Sequence, residues 1–214
     1  MNDPIRHDAE GSDARHVDRG VARRHAFLLA AREVFLEQGY EQASVNDVVR
    51  RAGGSLATLY AQFGNKEGLF LAVAQDQHER FVAAITPECV DHLKLEDGLQ
   101  AIGEKYLTAL LERDNLSFYR IVVGEGRKFP QLLQRYLATG ADRVRAVVVS
   151  FLKSHAAQIK DPDVVSPYFL ELMRGRHQYR ALADESYALS DKDVSEHVHK
   201  AVRFFLDGAL PRQA

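Results

Sequence analysis

Between Ser44 and Phe63 lie two short amphipathic segments, separated by only Gly53, Gly54 and Ser55. In the first, Val45, Val48, Val49 and Ala52 recur at three- and four-residue spacing. In the second, Leu59 and Phe63 stand one turn apart. This is the period of a helix and not of a strand. Each segment is only about two turns long, and three linking residues force the second helix to turn sharply against the first. That is helix-turn-helix spacing. The second segment leaves a small, polar outer face of Ala57, Thr58 and Ala61, flanked by Tyr60 and Gln62. Small side chains let a helix backbone approach the floor of a DNA major groove, and the hydroxyl and amide groups suit phosphates and base edges.

Helical periodicity continues through nearly all of the chain. No alternating apolar run is bounded by hairpin turn residues, so the expected class is all-α. A first helix is predicted from about Val21 to Gln38, with Phe27, Ala31, Val34 and Phe35 facing a core and Gly39 ending it. Ser44 with Asp47 has capping-box spacing, Ser55 is placed to cap the next helix, and Asn65 to cap a fourth from Lys66 to about Ile85. After a loop over 86–95, helices are expected over about 96–113 and 117–124. Another opens at Pro130, breaks or bends at Gly140 and continues to about Gln158. Asp161-Pro162 and Ser166-Pro167 both resemble helix starts, the second leading to about Ala183. Ser190 with Asp193 opens the last helix, along which Val194, Val198, Ala201 and Phe205 repeat.

The chain has 214 residues, 46% of them hydrophobic, and a net charge of −2. A nucleic-acid face must therefore be local. From Arg15 to Ala74 eight basic residues face six acidic ones, a net of only +2. The single cysteine, Cys89, excludes an internal disulfide and fits a reducing cytoplasm. The polar N-terminus has neither signal- nor transit-peptide character, and no apolar run approaches bilayer length, so a cytoplasmic, membrane-free protein is expected. Residues 1–18 read as a flexible arm. Arg15 on it, with Arg19, Arg23 and Arg24 beyond, is in reach of phosphates or a minor groove. No nucleophile elbow, phosphate loop, zinc-protease or dinucleotide motif occurs, so no enzyme and no cofactor are expected. His197 and His199 are two residues apart on a helix and point apart, which argues against a shared metal.

Lys66 poses a question of its own. A cation in the first turn of a helix opposes the backbone dipole. Beside a DNA phosphate, the ammonium and the helix N–H groups would attract the same anion. Ser44 offers a second helix N-terminus for a phosphate.

The run AAREVFLEQGYEQASVNDVVRRAGGSLATLYAQFGNKEGLFLAV carries a resemblance. Its spacing from Phe35 and Gly39-Tyr40, through Ala52-Gly53 and Thr58-Leu59-Tyr60, to Phe63 and Lys66-Glu67 resembles the TetR (TetR/AcrR) family of transcriptional regulators. The match covers about Val21 to Val73. It implies an N-terminal three-helix DNA-binding domain over 19–81, with the motif at about 44–63, and a larger helical ligand-binding and dimerisation domain over 82–214. By position it implies DNA contacts at Ser44, Asn46, Ser55, Leu56, Ala57, Thr58, Tyr60 and Gln62, with Lys66 as a phosphate clamp. Two positions depart from the family pattern. Gly54 stands where valine is common, which would loosen the turn. Leu56 stands where a polar residue is frequent, and its helical position leans toward the core.

The resemblance also implies an effector pocket among the middle helices. Tyr106, Phe118, Tyr119, Phe151, Phe169 and Met173 are expected to line it, with His155 or His177 supplying a polar tip. Such a set suits a small apolar or aromatic effector. A reader of two half-sites is expected to be a homodimer. Phe204, Phe205 and Leu206 give the last helix more apolar surface than one core face needs, so the interface is expected there, at Val194, Val198, Ala201 and Phe205. The resulting expectation is a repressor released from a pseudo-palindromic operator by its ligand. An activator of the same fold, or a helical adaptor that does not bind DNA, are the alternatives.

Overall fold

The computed structural model of the chain describes residues 9–85, 90, 92–155 and 157–209. Cys89 and residues 1–8 of the expected arm lie outside them. The described residues form ten helices and no strand, so the protein is all-α. None of these helices is long and apolar enough to cross a membrane. The chain separates into two compact units between Asp76 and Gln77, inside the fourth helix, where the sequence suggested a division after residue 81.

The first unit holds α1 (Ala9–Gln42), α2 (Val45–Ala52), α3 (Leu56–Phe63) and the start of α4 (Lys66–Ile85). Helix α1 begins at Ala9, well before Val21, so residues 9–18 of the expected arm are helical. Gly39 does not end it but kinks it, at φ 73° and ψ 176°. Phe27, Ala31, Val34 and Phe35 are fully buried, as their spacing requires. Phe35, Tyr40 and Phe70 form an aromatic cluster with ring centroids 5.0–6.1 Å apart. Phe63 at the end of α3 meets Phe27 edge-on at 6.3 Å.

The second unit is built around α5 (Leu95–Leu111), which packs on α6 (Arg113–Glu125), α7 (Pro130–Ser154), α8 (Pro162–Arg174), α9 (His177–Ala183) and α10 (Asp191–Ala209). Three sequence expectations need correction. Helix α7 runs unbroken through Gly140. A side chain there would collide with the His78 ring, 2.5 Å from a Cβ, so the glycine admits the ring and does not break the helix. Helix α8 starts at Pro162, and Pro167 lies inside it. The single helix expected up to Ala183 is two, divided at Gly175 with φ 49°. The Ser190–Asp193 box forms as expected: Ser190 Oγ accepts from the Asp193 N–H at 3.2 Å, and Asp193 Oδ2 accepts from the Ser190 N–H at 3.2 Å.

Candidate functional site

Helix α3 is held at its start by Ser55, whose Oγ accepts the Thr58 N–H at 3.1 Å and lies 2.9 Å from Thr58 Oγ1. Leu59 and Phe63 anchor it from beneath, at 0% and 8% exposure. Leu56, Ala57, Thr58, Tyr60 and Ala61 face solvent. Leu56 is 36% exposed, so it joins the outer face instead of the core. Gln62 sits at the edge of that face, half-buried, with its Oε1 buried and unpartnered. Helix α3 contains no acidic residue, so nothing on it repels a polyanion. Asn46 on α2 is exposed and Ser44 half-exposed.

The α2–α3 turn departs from what the sequence suggested in two ways. Ser44 and Asp47 do not form a capping box, for the Ser44 side chain makes no cap bond. Asp47 is instead occupied by Gln38 Nε2 at 3.2 Å and Arg50 at 2.7 Å. The backbone of the turn requires a glycine at Gly54. Its φ of 122° is a conformation that suits only glycine, and the Phe27 ring lies 3.1 Å from where a Cβ would stand. Arg23 closes the turn by donating to the carbonyls of Ala52 at 3.2 Å and Gly53 at 2.8 Å. These are the orphan carbonyls at the end of α2. Arg24 lies over the Phe63 ring at 4.7 Å. Both side chains are thus engaged within the unit, whereas the sequence placed them within reach of phosphate.

The structure answers the question of Lys66. Its ammonium donates to the Glu41 carbonyl at 2.8 Å, in the last turn of α1, and lies 5.1 Å from the centre of the Tyr40 ring. The cation turns away from its own helix dipole toward the negative end of another. Lys66→Met is expected to destabilise the protein by about 1–2 kcal/mol, the worth of one charge-assisted hydrogen bond and a partly exposed cation–π contact. Urea unfolding of the two proteins measures this. A change below a few tenths would show that the staple carries no weight.

The second unit holds an open-mouthed cavity of about 340 Å³. Of the residues expected to line it, Tyr106 and Tyr119 do. Phe118, Phe151, His155, Phe169 and Met173 do not. Phe169 is buried against Phe205, ring centroids 5.3 Å apart, and Phe151 lies against Gly98. Met173 fills the space beside Gly103. The two ring nitrogens of His155 lie 3.1 Å from the carbonyls of Phe151 and Leu93, outside the lining. His177 bonds Tyr187 at 2.6 Å. The polar lining comes from residues the sequence did not single out: Gln77, His78, Asn115, Tyr136 and Gln178, with Asp142 and Glu171 against Arg145 and Arg174. Only the close approach of His78 to Gly140 left any trace, as a glycine inside a helical pattern.

Burial, reinforced by the charge of Arg143, lowers the His78 pKa to about 4. Burial likewise pushes the phenols of Tyr106 and Tyr136 upward. Since His78 is neutral in the fold and titrates near 6.5 when unfolded, its contribution to stability is complete above about pH 6.5 and falls as pH drops toward 4. Thermal melts over that range should show the loss, and His78→Gln should flatten it. An unchanged pH slope in the variant would contradict this assignment.

The family comparisons decide what these two units are. Residues 27–73 match the profile of the bacterial regulatory proteins of the tetR family. Residues 97–208, more than half of the chain, match the C-terminal domain of AefR-like transcriptional repressors. The chain belongs to the TetR family of transcriptional regulators. Among curated relatives, the HTH-type transcriptional repressor ComR of Escherichia coli K12 is 47% identical over 63 residues, 29% of this chain and 30% of its own length. The activator FasR of Mycolicibacterium smegmatis is 40% identical over 63 residues, 29% of each chain. The chain thus matches under a third of these relatives' length. Solved structures match over most of the chain. A TetR-family regulator from Mesorhizobium loti superposes with a TM-score of 0.79 at 22% identity, over 90% of this chain and 99% of that one. The flavonoid-responsive regulator FrrA does so with a TM-score of 0.77 at 27% identity, over 89% and 98%.

The residues expected at a TetR-type dimer interface need correction. Val194, Val198, Ala201 and Phe205 are 0–7% exposed within the single chain and belong to its core, because this face of α10 packs on α5 and α8. Phe204 faces out at 71% exposure, as do Val164 and Tyr168 on α8 at 62% and 66%.

Proposed function

We propose that the protein is a ligand-responsive repressor that binds a pseudo-palindromic DNA site as a homodimer. The observation that carries this reading is the outer face of α3, where Leu56, Ala57, Thr58 and Tyr60 are presented by a capped and anchored helix without an acidic side chain. Thr58 and Tyr60 are assigned to base edges and phosphates, Leu56 to a thymine methyl. Ser44, Asn46, Ser55 and Gln62 flank them, and Lys66 binds phosphate while holding the end of α1. Exposed Phe204, Val164 and Tyr168 are the side chains proposed to meet a second copy.

The cavity of the second unit is the proposed effector site, and its aromatic lining suits an aromatic ligand. The response of FrrA to flavonoids supports that class. Gln77, His78 and Phe81 of the lining lie on α4, the helix that begins at Lys66. A ligand that prefers one position of α4 would bias the DNA-binding state through differential affinity. Repression is supported by the match over 97–208 to a repressor domain. An activator is the second reading because FasR, 40% identical over 63 residues, is a transcriptional activator. Sedimentation of the protein with a duplex it retains from a random pool tests the assembly. Two or more chains, in even number, per duplex are expected. One chain per duplex would overturn the homodimer, and retention of none would overturn DNA binding.

A further inference from the structure

The exposed face of α3 offers little of the hydrogen-bonding chemistry that reads bases. The helix, LATLYAQF, holds no arginine, lysine or asparagine. The commonest specific contact to guanine, a bidentate arginine or lysine, therefore has no donor on it. The paired contact to adenine needs both ends of an amide. Gln62 is the only amide on α3, and its Oε1 is buried, so one end is withheld whichever way the amide is turned. Thr58 Oγ1 already lies 2.9 Å from Ser55 Oγ, inside the helix cap. What the face does present is carbon. Ala57 and Ala61 are exposed and stand one turn apart, so their methyl groups form a ridge along the outer face. Leu56, exposed at the first position of the helix, stands one turn before Tyr60 on the flank of that ridge.

We infer that α3 reads its base pairs through the C5-methyl groups of thymine, packed against Leu56 and the Ala57–Ala61 ridge, so that each half-site is a thymine-bearing sequence whose recognition depends on those methyls. The inference rests on the reading of α3 as the helix in the groove, and it names the chemical group recognised there. A ridge of alanines lets the backbone settle close to the base edges, and the thymine methyl is the apolar group that a B-DNA major groove presents. An exposed leucine beside that ridge gains by covering the methyl. Against cytosine it finds no methyl, and it faces an N4 donor that it leaves without a partner.

The test uses the duplex that the full chain enriches from a random pool. Symmetric thymine pairs, one from each half-site, are replaced in turn by deoxyuridine, which removes the methyl group and keeps the Watson–Crick pairing. A methyl withdrawn from apolar contact costs about four-fold in affinity, so at least one symmetric pair should weaken binding by about ten-fold or more. The same replacement outside the half-sites should change nothing. Leu56→Ala should bind the thymine duplex more weakly and lose most of the uracil penalty at the position Leu56 covers. Uracil tolerated to within about two-fold at every thymine would overturn the inference, with no variant needed, and leave DNA binding standing. A uracil penalty that Leu56→Ala leaves whole would overturn the assignment to Leu56. A pool from which no duplex is enriched would overturn both the inference and the DNA-binding reading beneath it.

Discussion

Thr58→Ala combined with Tyr60→Ala is expected to lower affinity for a cognate duplex by at least about 100-fold. Each contact to a base edge is worth about 1–3 kcal/mol, and a dimer loses every contact twice. The fold should be indifferent to the change. The Ser55 cap bonds the Thr58 backbone N–H, which alanine retains, and Tyr60 is 45% exposed. Leu59 and Phe63, which anchor the helix, are untouched. Stability should therefore stay within about 0.5 kcal/mol, as for other exposed substitutions. Fluorescence anisotropy on a labelled duplex, paired with a urea melt, reads both quantities. Unchanged DNA affinity in the double variant would mean that α3 is not the reading helix. That is the outcome a helical adaptor would give.

The second large effect separates two neighbouring phenylalanines. Phe205 is 4% exposed and packs on the fully buried Phe169. Truncation to alanine leaves a cavity in the core, which costs about 3–5 kcal/mol for a phenylalanine. That loss should appear in the unfolding of the protein at any concentration. Phe204, one residue earlier, is 71% exposed and touches little that a single chain could lose. Phe204→Ala should leave unfolding at high dilution almost unchanged and weaken self-association by about ten-fold, as truncation of an apolar interface anchor does. Sedimentation equilibrium over a wide concentration range distinguishes the two. A Phe204 variant that associates as tightly as the parent would remove this part of α10 from the interface.

The helix-turn-helix was legible because its determinants are local. Ser55 caps within its own turn, Leu59 and Phe63 share one face, and Asn65 caps α4 through the Gly68 N–H at 2.8 Å. What the sequence hid depends on partners far along the chain. The Lys66 ammonium ends on Glu41, 25 residues away, and Arg23 on Gly53, 30 away. Local dipole arguments could pose the problem of Lys66 but not name the carbonyl that solves it. The cavity was less legible still. An aromatic residue looks the same in sequence whether it lines a void or fills a core. Phe151, Phe169 and Met173 therefore could not be told from Tyr106 until packing placed them. The α10 periodicity was read correctly as a buried face, but burial against α5 and α8 and burial against a second copy have the same pattern.

The most direct test of the central claim is selection of the purified protein against a random duplex library at moderate salt. A two-fold-symmetric site should be enriched, with half-site centres one or more helical turns apart, about 34–36 Å or a multiple. That spacing would measure the separation of the two α3 helices in the assembled reader. If no site is enriched, before or after unfolding and refolding to strip any retained ligand, the protein is not a sequence-specific DNA reader, and α3 presents its polar face to something other than a DNA groove.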